Sequence, residues 1–266
     1  LASPNVWPNA FSLVGPQAVL NGQNYLSGSV FFVDSTSSTA SDANAGTEPE
    51  LPKATWTSAY TAAAAGDFII CAAGHSEIIS AANTLATVGV TTIGLGVGTL
   101  IPRFTSNVAG AMWSTTGAYQ KFFNLYFPAS TAATTSRLTL STGPAVVNGC
   151  YFECGVNDTG AALIVSSADA RVESCSFVAT ASRPARGIQI PSAVAGGTFK
   201  DLLFDGGSYG WTSTAFQIAN STTRMWLENI RLANRSDMIA NVTGTSYQML
   251  GVRTLDNTGC RIVIAA

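Results

Sequence analysis

The sequence predicts an all-β chain wound as a right-handed, single-stranded parallel β-helix (a solenoid of short strands and turns), with an extended N-terminal arm and a short capping helix. Three observations predict it. A five-residue phrase recurs through the second half at a spacing near 25 residues, and a second short apolar strand lies between its copies. In addition, 47% of the 266 residues are apolar while only 11% are charged. That charged share is less than half of the usual ~25%. Disordered chains combine low hydrophobicity with high net charge, so this balance argues for an ordered, well-buried fold.

Residues 1–30 stand outside the repeat and read as the arm. Pro4, Pro8 and Pro16 alternate there with Trp7, Phe11 and Leu13, giving extended backbone with apolar anchors. Such a segment cannot bury itself alone. Docking on a neighbouring subunit is the preferred expectation, and packing along its own helix is the alternative. Leu1-Ala2-Ser3-Pro4 carries neither an initiator methionine nor a signal-peptide pattern. Trimming, processing or further leading residues would each account for that start.

The β-helix domain is expected over 31–266. Its entry segment runs through Phe32-Val33-Asp34, then Asp42-Ala43-Asn44-Ala45-Gly46-Thr47, then Pro52-Lys53-Ala54-Thr55-Trp56. A helix over about 55–65 follows, placed to cover the open end of the stack, where bare strand edges invite aggregation. Gly66-Asp67-Phe68-Ile69-Ile70 then opens the first coil, and Gly74-His75-Ser76-Glu77 turns it.

The repeat follows. Its copies are Phe123–Phe127, Asn148–Phe152, Glu173–Phe177, Lys200–Phe204, Glu228–Leu232 and Leu250–Thr254. Their third positions, Leu125, Cys150, Cys175, Leu202, Ile230 and Val252, lie 25, 25, 27, 28 and 22 residues apart. Within each phrase the third and fifth residues are mostly apolar, the second is small or polar and the fourth varies, which is strand alternation. The intervening strands are Arg137–Leu140, Ala162–Val165, Gly187–Ile190, Ala215–Ile218 and Met238–Asn241, set off by Gly-, Ser- and Asn-rich turns. Two or three strands per ~25-residue coil is the arithmetic of a parallel β-helix.

Stacking coils ~4.8 Å apart turns equivalent positions into ladders. Phe127, Phe152, Phe177 and Phe204 are expected to form an interior aromatic ladder, and the six third positions a second apolar column. Glu173, Lys200 and Glu228 would alternate in sign along the first column, which avoids like-charge repulsion.

The entry segment, with Ile93-Gly94-Leu95-Gly96 and Pro102-Arg103-Phe104 beyond it, resembles the start of pectate-lyase-like right-handed β-helix proteins. With the repeats, the resemblance covers about residues 30–266. The superfamily includes pectin-degrading enzymes, polysaccharide lyases, phage tailspikes and other virion proteins, so the resemblance implies a fold and leaves the function open. At His75 the chain departs from the threonine and tyrosine more usual in that turn, so no activity is carried over there.

Several function classes are disfavoured. Net charge is −2, and the only lysines, Lys53, Lys121 and Lys200, form no basic cluster, which argues against nucleic acid. No apolar run approaches the ~20 residues of a membrane helix. No cofactor is expected. The five cysteines, Cys71, Cys150, Cys154, Cys175 and Cys260, are odd in number and scattered, so most are expected free and buried.

Each candidate site has a plainer reading beside it. His75, the only histidine, has no recognisable catalytic or metal partner and reads as a structural or turn residue. Asp42, Asn44, Glu48 and Glu50 lack the loop grammar of a calcium site and read as turn chemistry. Cys150, Cys154 and Cys175 are expected as stacked hydrophobes rather than zinc ligands. Glu153 and Asp205 each follow the fifth position, two coils apart, so their backbones should sit ~9–10 Å from one another, near the spacing of an inverting glycosidase pair. They are the alternative catalytic candidates; solvated carboxylates at strand ends are the plainer reading. Arg231 and Arg253 fall in one column without an acid cluster. Tyr126, Tyr151, Trp211 and Trp226 are expected exposed, either in a subunit interface or stacking on sugar rings. Sequons at Asn157, Asn220, Asn234 and Asn241 are expected by chance in so Asn-, Ser- and Thr-rich a chain.

The leading functional expectation is a non-enzymatic phage virion protein, a homotrimeric capsid decoration or cement protein bound to the major capsid protein or another virion protein at the capsid surface. The alternative is a tailspike or secreted protein that binds or cleaves a polysaccharide, and a surface adhesin is a third. An exposed groove holding acids and aromatics would favour the alternative; a flat polar face would count against it.

Overall fold

The computed structural model describes residues 28–180, 184–191, 194–219, 223–241, 247–255 and 260–265, with 11–14, 17–20 and 23–24. The chain is a parallel β-solenoid of about seven turns, with three sheets as its sides, matching the right-handed β-helix expected. Sheet I has nine strands, from Val30–Val33 through Lys121–Phe123 to Tyr247–Leu250. Sheet II has eight short ones, from Ser76–Ile79 through Tyr126–Phe127 to Arg253–Thr254. Sheet III has eight, from Asn83–Leu85 through Thr134–Leu140 to Arg261–Ala265. Each strand pairs in parallel with its equivalents in the coils before and after. The recurring phrase is thus the end of sheet I, a bend and the start of sheet II.

The bend explains the small or polar second position. Asn124, Gly149, Ser174, Asp201, Asn229 and Gly251 all have positive φ, between 50° and 69°. That left-handed conformation turns the chain from one sheet to the next, and Gly, Asn and Asp tolerate it best. The bend also continues the ladder: the N–H of Asn124 donates to Asn148 O, that of Gly149 to Glu173 O, and that of Ser174 to Lys200 O.

The columns fall in register. Phe127, Phe152, Phe177 and Phe204 are fully buried, and successive rings stack with centroids 4.7, 4.8 and 5.1 Å apart. Phe216 of sheet III extends the stack at 5.4 Å. Leu125, Cys150, Cys175, Leu202 and Ile230 are buried beside it, with Val252 packed against their end. Each buried phenylalanine contributes roughly 1.5–3 kcal/mol of apolar burial, and each offset-stacked pair adds ~0.5–1.5 kcal/mol. Glu173, Lys200 and Glu228 are register partners, and Lys200 Nζ lies 3.1 Å from Glu228 Oε1.

The helix spans Trp56–Ala62, shorter than the 55–65 expected. Thr55 caps it, its Oγ1 accepting from the Ser58 N–H. Trp56 plugs the open end: its ring stacks on Trp113 at 4.0 Å and on Tyr60 at 5.0 Å, and its Nε1–H donates to Thr92 Oγ1. The Glu77 carboxylate accepts from the Trp56 N–H, tying the helix start to sheet II.

The arm is not a single extended strand. Phe11–Val14, Gln17–Leu20 and Gln23–Asn24 form a three-stranded antiparallel sheet. Two residues separate successive strands in the sequence, and the middle strand, Gln17–Leu20, pairs with both of the others, so these strands pair within the segment.

Candidate functional site

Sheet II carries the site on its outer face. Its strands are short and alternate strictly, so one residue per coil points outward just past the bend. In register these are Ser76, Arg103, Tyr126, Tyr151, Ser176, Leu203, Arg231 and Arg253. Two residues along lies a second outward column containing Glu153, Val178 and Asp205.

Where the columns meet, a cleft of about 300 Å³ opens. Arg103, Tyr126, Tyr151 and Glu153 form its floor, and Gly98, Thr99 and Ile101 form one wall. The Arg103 guanidinium lies over the Tyr126 ring, 4.7 Å from its centroid. The Tyr126 and Tyr151 rings meet edge to face at 5.2 Å and 77°. Partial burial holds the Tyr126 hydroxyl above the usual phenol range; its hydrogen bond to Glu153 and that carboxylate's charge add to the effect, and Arg103 opposes it. Tyr151 is raised too, by burial first and then by the negative charges of Glu153 and Asp205. Both rings therefore present neutral hydroxyls beside one cation and one carboxylate.

The wall is held from the next coil. Asn124, at its bend, donates through Nδ2 to Gly94 O at 2.9 Å and Gly96 O at 3.0 Å. Gly96 has a φ of +98°, and a Cβ there would stand 2.5 Å from Leu100 O, so only glycine lets the loop fold back this tightly. The rim exposes apolar surface, with Val97 81% and Ile78 65% accessible.

The predicted residues divide. Tyr126, Tyr151 and Glu153 come together in the cleft. Asp205 lies two coils from Glu153, as expected, but its Oδ1 accepts from the Gly207 N–H and from Asn234 Nδ2, each at 2.8 Å, so it holds a turn. Trp211, expected exposed, is buried: its indole N–H donates to Ser236 Oγ at 3.0 Å, and the Gly206–Gly210 turn folds it over the end of the core. Trp226 is 40% exposed on sheet I, away from the cleft. Phe11 lies in the N-terminal sheet with Leu13, while Trp7 and the sequon at Asn220 lie outside the described residues.

His75 is fully buried and has partners that sequence reading did not find. Its Nδ1 accepts from the Ser35 N–H at 3.0 Å, and its Nε2 lies 3.4 Å from Glu77 Oε2. This joins the entry loop, the first turn and the helix start, a structural role. Asp42 likewise anchors Thr55, accepting from its N–H and hydroxyl. Cys150, Cys154 and Cys175 are buried free thiols, and burial pushes Cys154 up to about 12. Among the described residues no group of three His, Cys, Asp or Glu is placed to hold a metal ion, and no helix is long and apolar enough to cross a membrane.

Sequence reasoning missed Arg103 and the wall loop. Arg103 precedes the first phrase of the repeat, so only the 23-residue step to Tyr126 marks its place in the column. It also missed the buried ion pair of Arg137 with Asp158, 2.7 Å long, in which Arg137 also donates to Glu153 O behind the cleft.

Fold and site together define a parallel β-helix with a lateral aromatic cleft. No protein-family model matches the chain, and no curated protein does. Among solved structures, a rhamnogalacturonan lyase is similar at a TM-score of 0.48 and 11% identity, over 89% of this chain and 62% of its own length. The pectate lyase Pel9A is similar at 0.45 and 11% identity, over 88% of this chain and 79% of its own.

Proposed function

We propose that this chain is a carbohydrate-recognition β-helix that seats part of a polysaccharide in the sheet II cleft. The observation that carries the reading is the floor itself: two tyrosines on adjacent coils, flanked by Arg103 and Glu153. Sugar rings offer apolar C–H faces and a rim of hydroxyls. Aromatic faces take the former, and a guanidinium, a carboxylate and phenol hydroxyls take the latter. The volume sits at the low end of the ~300–1,000 Å³ of ligand sites, enough for part of a chain that continues along the face. Binding without cleavage is the preferred form, because Asp205 is engaged in its turn and Glu153 in the Tyr126 hydrogen bond.

Affinity electrophoresis through gels cast with a panel of neutral and acidic polysaccharides tests this. The wild-type chain is expected to be retarded by at least one polymer, and Tyr151→Ala to migrate freely through the same gel. Unretarded migration of the wild type in every gel would overturn the reading. A shortened polymer in the retarding gel, abolished by Glu153→Gln, would convert binding into cleavage.

A second reading, a homotrimeric virion decoration or cement protein at a capsid surface, is favoured by a different face. Trp226 and Leu250, 40% and 61% exposed, are diagonal neighbours on sheet I, apolar surface of the kind that lateral association buries. Light scattering separates the two: a trimer dispersed by Trp226→Ser supports the shell role, and a monomer argues against it.

A further inference from the structure

The outward column that carries Arg103 ends on two arginines. Arg231 pairs in register with Leu203 on one side and Arg253 on the other. Neighbouring parallel strands lie ~4.8 Å apart, so two guanidinium groups are rooted on adjacent rungs of one face. Like charges directly opposed disfavour a sheet. Elsewhere this chain avoids the problem, as where Lys200 sits between Glu173 and Glu228. Here neither arginine's side chain has an ion-pair or hydrogen-bonded partner among the described residues. The Arg231 Nε is moreover buried and unpaired. Asp205, the acid nearest by register, is turned to Gly207 and Asn234. A chain with only 13 lysines and arginines and a net charge of −2 therefore stacks two of them with nothing opposite.

We propose that Arg231 and Arg253 form a binding site for a doubly charged tetrahedral oxyanion: inorganic phosphate or sulfate as the free ion, or a phosphate monoester on a larger molecule. A guanidinium presents a planar fork of donors that matches such an anion two oxygens at a time. Two forks on adjacent rungs bracket one tetrahedral group and balance both of its charges, relieving the repulsion that the bare pair retains. A single carboxylate would balance only one. Arg231 lies three rungs, ~14 Å, beyond Tyr151, the cleft residue nearest to it in the column, so the site is separate from the aromatic cleft and its test does not depend on sugar binding there.

Isothermal titration calorimetry of the whole chain with inorganic phosphate, and separately with sulfate, in a mildly alkaline low-salt buffer tests the proposal. One saturable site is expected. The exposed Arg253→Gln should weaken it by about tenfold or more without changing the melting temperature beyond a degree or so, and Arg231→Gln should weaken it similarly if it folds. Competition by excess chloride should leave the site selective. A phosphorylated sugar that binds at least about tenfold tighter than inorganic phosphate, with the gain lost in Arg253→Gln, assigns the ester-bearing molecule; equal affinity assigns the free ion, and both support the site. No heat with either anion, equal competition by chloride, or unchanged affinity in Arg253→Gln would overturn it.

Discussion

Phe177 sits between two rings, with Phe152 at 4.8 Å and Phe204 at 5.1 Å, all three shielded from water. Truncating it breaks both stacks and leaves a cavity that rigid coils on either side cannot close. Phe177→Ala is expected to cost about 3–5 kcal/mol, and Phe177→Leu well under half of that, as read from urea unfolding. A loss under 1 kcal/mol in the alanine variant would mean that the stack relaxes and is not the spine of the core. The ring was legible because the alternation of its phrase and the 25-residue steps leave one residue per coil pointing inward at that place. Trp211 was not legible. It lies in a turn with no counterpart in neighbouring coils, so composition made it look like surface, while Ser236, 25 residues on, supplies the buried partner for its indole. For His75 it was the partners, not the structural role, that stayed hidden: they come from Ser35, 40 residues before it, and from Glu77.

The bends between sheets I and II keep one form, a single left-handed residue, in all six copies of the phrase. Ser174 is held there at φ 53°, and among the described residues its side chain makes no bond to compensate the left-handed backbone. Ser174→Gly is therefore expected to raise stability by up to ~1 kcal/mol, the strain relieved being partly offset by the greater freedom of glycine when unfolded. Ser174→Val, β-branched at a positive φ, is expected to lose more than that. Equal melting temperatures for the two variants would show that the bend is not strained. The sequence revealed these positions as small or polar, and the backbone supplies the reason. The wall of the cleft is an element the sequence hid: residues 95–102 carry no repeat, and their placement depends on a glycine and on Asn124 reaching back from another coil. The N-terminal strands were hidden as well, because prolines and apolar anchors describe an extended arm and a short meander equally.

At the scale of the whole molecule, a solenoid stacks coils and so converts sequence period into surface columns. Glu153 and Asp205 were placed two coils apart by counting alone, and the register agrees. What counting could not supply was the direction in which each carboxylate points, which decides that one faces the cleft while the other holds a turn. The same column that gathers Arg103, Tyr126 and Tyr151 at one end leaves Arg231 and Arg253 at the other, so one face of the stack offers two chemically distinct stations.

Hydrogen–deuterium exchange of the chain with and without the polysaccharide that retards it tests the central claim most directly. Protection confined to 98–103, 126–127 and 151–153, and absent in Tyr151→Ala, is the result expected of a ligand seated in the sheet II cleft. Protection centred instead on the sheet I strands around Trp226 and Leu250, with the cleft unchanged, would contradict it and would place the binding face on the side proposed for lateral association.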